Sequence, residues 1–311
     1  MVENFSLSTH NFKKELKKYQ NLKYIVSEGW LDSSSINLFR ALAYEKSNIK
    51  TYYNEHNCFF HPYLGNMVDM EADLVDKYLT LGWSSGNHKF KKLASLYSFK
   101  IPLSKKKKYK ILYVSYPAEI YKSFYSSCYG ISGAGAVKHL TFVSNFFKII
   151  PISTLKKFSY RAYPKDYFIS ATRFNKEYFL KEYLKNVNFV SSFKNKGQTC
   201  KEQMISSSLV IIDSISTAYL ESLNMNIPTI CFWDPNAMYL KDAHLNFFDE
   251  LVEAKIIHTT PESAAKHLIN IYENPTEWWN TSHTRDLKNK WLNKNFGNPE
   301  NMIEYLLQLS K

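Results

Sequence analysis

The residues best suited to chemistry stand where apolar runs stop. Leu209-Val210-Ile211-Ile212 reads as a buried strand, and it ends in Asp213-Ser214-Ile215-Ser216-Thr217, a hydroxyl-rich turn that opens a helix. Free backbone N–H groups and hydroxyls at a helix start make a cradle for phosphate. The same turn is also what a Ser or Thr N-cap without a ligand looks like. Glu221 falls one turn deeper on the same helical face, where a carboxylate accepts hydrogen bonds from a ribose. Arg161, in Ser159-Tyr160-Arg161-Ala162-Tyr163-Pro164, offers phosphate a forked contact, with an ordinary surface arginine as the alternative. Gly133 lies in Tyr129-Gly130-Ile131-Ser132-Gly133-Ala134-Gly135-Ala136, where glycines permit close backbone approach to a ligand. The spacing there is not the dinucleotide-binding fingerprint.

A second set of chemical side chains comes early in the chain. Glu28, Asp32, Glu55, His56 and His61 all follow short predicted strands. Moving a glycosyl group needs three things: a group that attacks or stabilises an oxocarbenium-like centre, a base or proton carrier, and donors for the departing phosphate. Carboxylates and histidines in one place supply the first two. The chain has no His-Glu-x-x-His, P-loop or nucleophile-elbow serine, so metalloprotease, P-loop NTPase and α/β-hydrolase readings lack support.

The elements that must position these residues alternate. A helix over Ser8–Tyr19, a strand over Lys23–Val26, a helix capped by Ser33-Ser34-Ser35 and a strand over Ile49–Tyr53 imply a right-handed parallel crossover. Side chains beyond the carboxyl ends of such strands form the sites, which is where Glu28 and His56 fall. A helix around Met70–Asp76 and a strand at Tyr78–Leu81 follow, and the lysine-rich stretch Lys89–Lys110 reads as a linker. A strand at Lys110–Tyr116 then opens a second series. Helices are expected at Asn175–Leu184, Thr199–Ser206, Thr217–Leu223, Leu240–Ala254 and Glu262–Tyr272, with strands at Asn188–Ser191, Leu209–Asp213, Thr229–Trp233 and Ile256–His258. Terminal helices pass through Trp278 and run on from Glu300. Such alternation specifies an α/β protein with parallel sheets covered on both faces. The expected division is a reduced N-terminal Rossmann-like lobe with its basic linker at 1–104 and a C-terminal Rossmann-like lobe at 105–311 that includes the terminal helices.

The bulk numbers agree with two folded lobes, because 311 residues with 45% hydrophobic content can bury two cores. Forty Lys and Arg against 28 Asp and Glu leave a formal charge of +12, which draws a protein toward phosphates or an anionic membrane face. The lysines are dispersed and no nucleic-acid motif is present, so no nucleic-acid partner is expected. Cys58, Cys128, Cys200 and Cys231 form neither a zinc pattern nor a disulfide framework. With a polar, basic Met1–Gln20 and no run of roughly 20 apolar residues, a cytoplasmic location is expected, with peripheral contact at the inner membrane face.

Taken together, particular stretches resemble a family of bacterial surface-carbohydrate transferases related to the retaining β-Kdo glycosyltransferases. In the first half these are Glu55-His56-Asn57 to Gly65 and Asp76-Lys77-Tyr78-Leu79-Thr80-Leu81-Gly82-Trp83. In the second they are Asp213 to Thr217, Tyr219-Leu220-Glu221, Ile227-Pro228-Thr229, Phe232-Trp233-Asp234, His258 to Pro261 and Trp278-Trp279. The resemblance implies a GT-B arrangement of two Rossmann-like lobes, and a metal-independent, retaining glycosyltransferase without a cofactor beyond its nucleotide-sugar donor. It also implies a CMP-linked donor carrying Kdo or a related acidic keto-sugar, and a surface glycan or lipid-linked glycan acceptor in lipopolysaccharide or capsule biosynthesis. By position Asp32 becomes the nucleophile and His56 the acid/base, with Glu55 and Glu28 beside them. Ser214, Ser216, Thr217, Glu221, Arg161 and Gly133 go to the nucleotide. Relatives carry Gln-His-Gly-Gly where this chain has Glu55-His56-Asn57-Cys58. An acidic Ser-Asp-Glu of the relatives is replaced here by Ser35-Ile36-Asn37, and that altered motif with the short first lobe fits an alternative, a noncatalytic GT-B-like scaffold or glycan-binding subunit.

Overall fold

The computed structural model describes residues 23–28, 49–55, 62, 68–94, 106–116, 134–163, 176–190, 198–237 and 239–309. Asp32, His56, His61 and Gly133 lie outside them, as do the expected helices at Ser8–Tyr19 and after Ser35. The chain divides into two compact units. The first holds the described parts of Met1–His56, Val68–Leu96 and Asn295–Lys311, and the second those of Asn57–Met67 and Tyr97–Lys294.

In the first unit β1 (Tyr24–Glu28), β2 (Lys50–Asn54), β3 (Lys77–Thr80) and β4 (Phe90–Lys92) form a parallel sheet in the order β1-β2-β3-β4. Strand β4 corrects the linker reading of Lys89–Lys110: Leu79 pairs with Lys91, and the lysines within this three-residue strand hid it as a strand signal. A short helix α1 (Val68–Asp73) precedes β3. Tyr52, Leu79, Leu93 and Met302 make the core here. At the exit of β3, Gly82 has φ +137°, and a Cβ there would stand 1.9 Å from the Gly297 nitrogen. Only a glycine lets the returning chain pass so close.

The second unit is built on β5 (Tyr109–Val114), β6 (Phe158–Arg161), β7 (Asn188–Phe189), β8 (Ser207–Ile212), β9 (Thr229–Phe232) and β10 (Ile257–His258). They pair in parallel in the order β10-β9-β8-β5-β6-β7. Chain order reverses between β5 and β8, the place where open parallel sheets leave a crevice at their carboxyl edge. Leu209, Val210, Ile211 and Ile212 are fully buried, as a strand covered on both faces requires. The helices are α2 (Ala134–Ile149), α3 (Ile152–Leu155), α4 (Lys176–Phe179), α5 (Lys181–Leu184), α6 (Cys200–Ile205), α7 (Thr217–Asn224), α8 (Asp249–Glu253), α9 (Pro261–Ile271), α10 (Pro275–Trp279), α11 (Ser282–Asn295) and α12 (Pro299–Leu309). Aromatic pairs pack within this core: Tyr113 stacks on Tyr160 at 5.4 Å and Phe146 on Phe232 at 4.5 Å.

Three expectations change. The helix over Leu240–Ala254 is a 3-10 turn at Asp242–His244 followed by the short α8. The helix over Asn175–Leu184 is two single turns, α4 and α5. The final helix α12 belongs to the first unit, not the second, because Met302 fills that unit's core.

Candidate functional site

The site is assembled at the carboxyl edge of the second sheet, at its reversal point. Strand β5 delivers Ser115 and Tyr116, β6 delivers Arg161 to Tyr163, and β8 runs through its turn into α7. A cavity of about 260 Å³ opens there, lined by Ser115, Tyr116, Arg161, Tyr163, Cys200, Ser216, Thr217 and Glu221 among others. Arg161, Ser216, Thr217 and Glu221, four of the residues singled out for a nucleotide, therefore meet in one wall.

The turn into α7 places its hydroxyls unequally. Ser216 takes the N-cap position with φ −143° and ψ 172°, yet its side chain makes no capping hydrogen bond. A helix leaves its first-turn N–H groups without intrahelical acceptors, and here that end with its partial positive charge borders the cavity through Thr217 and Ala218. Ser214 is elsewhere: it is fully buried, its carbonyl accepting the Cys231 thiol at 3.3 Å, and it does not line the cavity. The tight turn aims it into the sheet, against the expectation that it would meet the ligand.

Arg161 ends β6 in register with Val114, and its carbonyl accepts the Ser115 N–H at 3.0 Å. The residue is only 7% exposed, and its Nη1 is buried without a hydrogen-bond partner. The guanidinium also donates to the Cys200 thiol, whose pKa burial pushes up while Arg161 pulls it down. Cys200 opens α6 behind a reciprocal capping box, Thr199 Oγ1 accepting from the Glu202 N–H and Glu202 Oε2 from the Thr199 N–H. The spacing Thr-x-x-Glu carries that signal, so the placement of Cys200 in this wall was open to sequence reasoning that missed it. Burial pushes the Glu221 pKa up, against the opposing charge of Lys201. An arginine with a free buried donor, a bare helix start and a carboxylate are what an anion bearing a polyol needs.

The first-unit candidates fare differently. Glu28 closes β1, paired in register with Asn54. Glu55 is 1% exposed, and its Oε2 accepts from the Leu81 N–H at 2.9 Å and the Trp83 Nε1 at 2.7 Å. Through Oε2 the carboxylate braces the β3 exit, a structural role beside the catalytic one expected of it. Among the described residues no group of three His, Cys, Asp or Glu is gathered that could hold a metal ion.

The paired parallel sheets define the class: an α/β protein with the fold of GT-B glycosyltransferases. Spinosyn forosaminyltransferase SpnP matches with a TM-score of 0.50 and 9% identity over 96% of this chain and 78% of that one. The N-terminal domain of Candida albicans trehalose-6-phosphate phosphatase matches with a TM-score of 0.50 and 13% identity over 98% of this chain and 76% of that one. The structure of accessory secretory protein 1, 2 and 3 in Streptococcus pneumoniae matches with a TM-score of 0.47 and 11% identity, 98% of this chain spanning 56% of that one. No curated protein matches the chain. The family model described as LIC12162 family transferase matches residues 1–309, and the chain belongs to that family.

Proposed function

We propose that this transferase is a glycosyltransferase that holds a nucleotide-sugar donor in the cavity at the carboxyl edge of its second sheet. The observation that carries this is the buried, unpartnered Nη1 of Arg161 in the same wall as the start of α7. A buried cationic donor is costly to leave unpaired, and the phosphate of a bound nucleotide would satisfy it. The donor's phosphate is assigned to Arg161 and the N–H groups of Thr217 and Ala218, and its ribose hydroxyls to Glu221. Orientation of the phosphate as a leaving group stabilises the charge that develops when the glycosidic bond breaks.

The finer reading rests on sequence resemblance. It assigns a CMP-linked acidic keto-sugar, Kdo or a relative, transferred with retention and without a metal to a surface glycan. Asp32 acts as nucleophile, His56 as acid/base, and Glu28 assists. The donor site is tested by calorimetry with CMP, UDP, GDP and ADP. Binding of one of them is expected, and silence from all four would remove the reading. A preference for CMP supports the keto-sugar donor, whereas a preference for UDP or GDP discards it. Slow release of CMP from CMP-Kdo, abolished in Asp32→Ala, supports catalysis; tight nucleotide binding with no release favours the noncatalytic scaffold instead.

A further inference from the structure

Behind the cavity lies a buried cluster that touches no open space. Lys176, in α4, and Asp213, at the end of β8, are both fully buried and form an ion pair. The three N–H groups of the ammonium are all engaged: one with Asp213 Oδ2, one with the Tyr116 carbonyl at 2.9 Å, and one with His139 Nε2 at 3.1 Å. An ammonium has no lone pair, so His139 Nε2 accepts and the ring proton sits on Nδ1, which has no partner. Burial and the Lys176 charge push the His139 pKa well down, so the ring stays neutral. Asp213 Oδ1 accepts the Tyr116 N–H at 2.7 Å, while Oδ2 also accepts the Tyr113 hydroxyl at 2.7 Å.

Both polar groups of one residue are thus held by the two ends of a single ion pair. Tyr116 lines the cavity, and Asp213 begins the turn that leads to Ser216 and Thr217. A buried ion pair contributes little to stability relative to an apolar pair of the same shape, so stability alone does not account for it. Its geometric effect is to lock the β5 exit to the β8 exit, the two strands between which the sheet order reverses.

We infer that Lys176 is a positioning residue for the donor site, fixing the Tyr116 peptide against the Asp213 turn so that the cavity is formed before the nucleotide arrives. The inference rests on the donor-site reading above. A preformed wall removes the ordering cost that binding would otherwise carry.

The test compares nucleotide affinity with thermal stability in two variants. Lys176→Met with Asp213→Asn removes both charges together and avoids leaving one buried alone. It should weaken the nucleotide by about tenfold or more while folding cooperatively. Tyr113→Phe removes a bond to the same carboxylate without touching Tyr116; it should lower the melting temperature and leave affinity within about twofold. Equal affinity in the double variant and wild type would overturn the inference while leaving the donor site standing. Absence of nucleotide binding by the wild type would remove the donor site itself. Hydrogen exchange on the unliganded wild type gives a reading that needs no variant. The Tyr116 amide should be as protected as the amides of β5, and exchange at the rate of an open loop would overturn the clamp.

Discussion

At the residue scale, Arg161 and Glu55 differ in what their charged groups hold. Both are nearly buried, at 7% and 1% exposure. Arg161 keeps a donor without a partner, whereas Glu55 holds the Leu81 N–H and the Trp83 indole through Oε2. Arg161→Lys retains the charge but loses the fork that reaches Cys200 and an incoming phosphate together. Calorimetry should show nucleotide affinity falling by about 1.5–3 kcal/mol, with little change in melting temperature. Glu55→Ala should do the reverse: a loss of about 1–3 kcal/mol in urea unfolding, from two orphaned donors, with affinity for the nucleotide kept. The sequence carried the Arg161 signal because a guanidinium after an apolar strand is chemically conspicuous. It could not show the bracing role of Glu55, because Trp83 lies 28 positions away and only folding brings its indole to the carboxylate.

At the element scale, strands bounded by turn residues were legible and elements defined by distant partners were not. Strand β8 and helix α7 stand within a residue or two of their expected limits, since four apolar residues running into Asp-Ser-Ile-Ser-Thr leave few alternatives. Strand β6 was missed although it presents Arg161, because Phe158-Ser159-Tyr160-Arg161 is short and lacks an apolar run. The α9 segment shows what such packing costs in acid. Thr260 caps α9 by accepting the Ser263 N–H, and His258 Nε2 donates to the Lys255 carbonyl at 2.9 Å while Nδ1 accepts the Ser263 hydroxyl at 2.7 Å. Burial lowers the His258 pKa to about 4 and that of His267, which also faces His258 and Lys255, to about 3. Both lie below the ordinary 6.5, so the unfolded chain binds more protons in acid. Their contribution is complete above that ordinary value and is lost as the pH falls through about 4 and then about 3. Urea midpoints should therefore drop steadily between neutral pH and the stability limit in acid. His267→Leu should make the drop shallower, and an unchanged slope would count against burial as its cause.

At the scale of the whole molecule, the chain is not cut once into two lobes, and local sequence could not have told that it is not. Pro62 bonds into the second unit through the Lys241 N–H at 2.8 Å, while α12 returns to the first. The partners of Met302 are Tyr52, Leu79 and Leu93, more than 200 positions earlier, so no windowed pattern links them. The surface charge, by contrast, is fully legible in composition, and its consequence belongs to the molecule as a whole. No helix among the described residues is long and apolar enough to cross a membrane. Lys106, Lys107 and Lys108 are all exposed, and Lys107 also donates to the Ile205 carbonyl at 3.0 Å, which ties the lysine run to the end of α6. A net charge of +12 with such lysines outward should favour anionic headgroups by about 1 kcal/mol for each lysine near the surface. We expect co-sedimentation with phosphatidylglycerol vesicles in dilute buffer but not with phosphatidylcholine vesicles. Near 1 M salt the screening length shrinks to about 3 Å, so the protein should then be released. Retention on neutral vesicles, or on anionic ones at that salt, would mean that an apolar surface rather than charge meets the lipid.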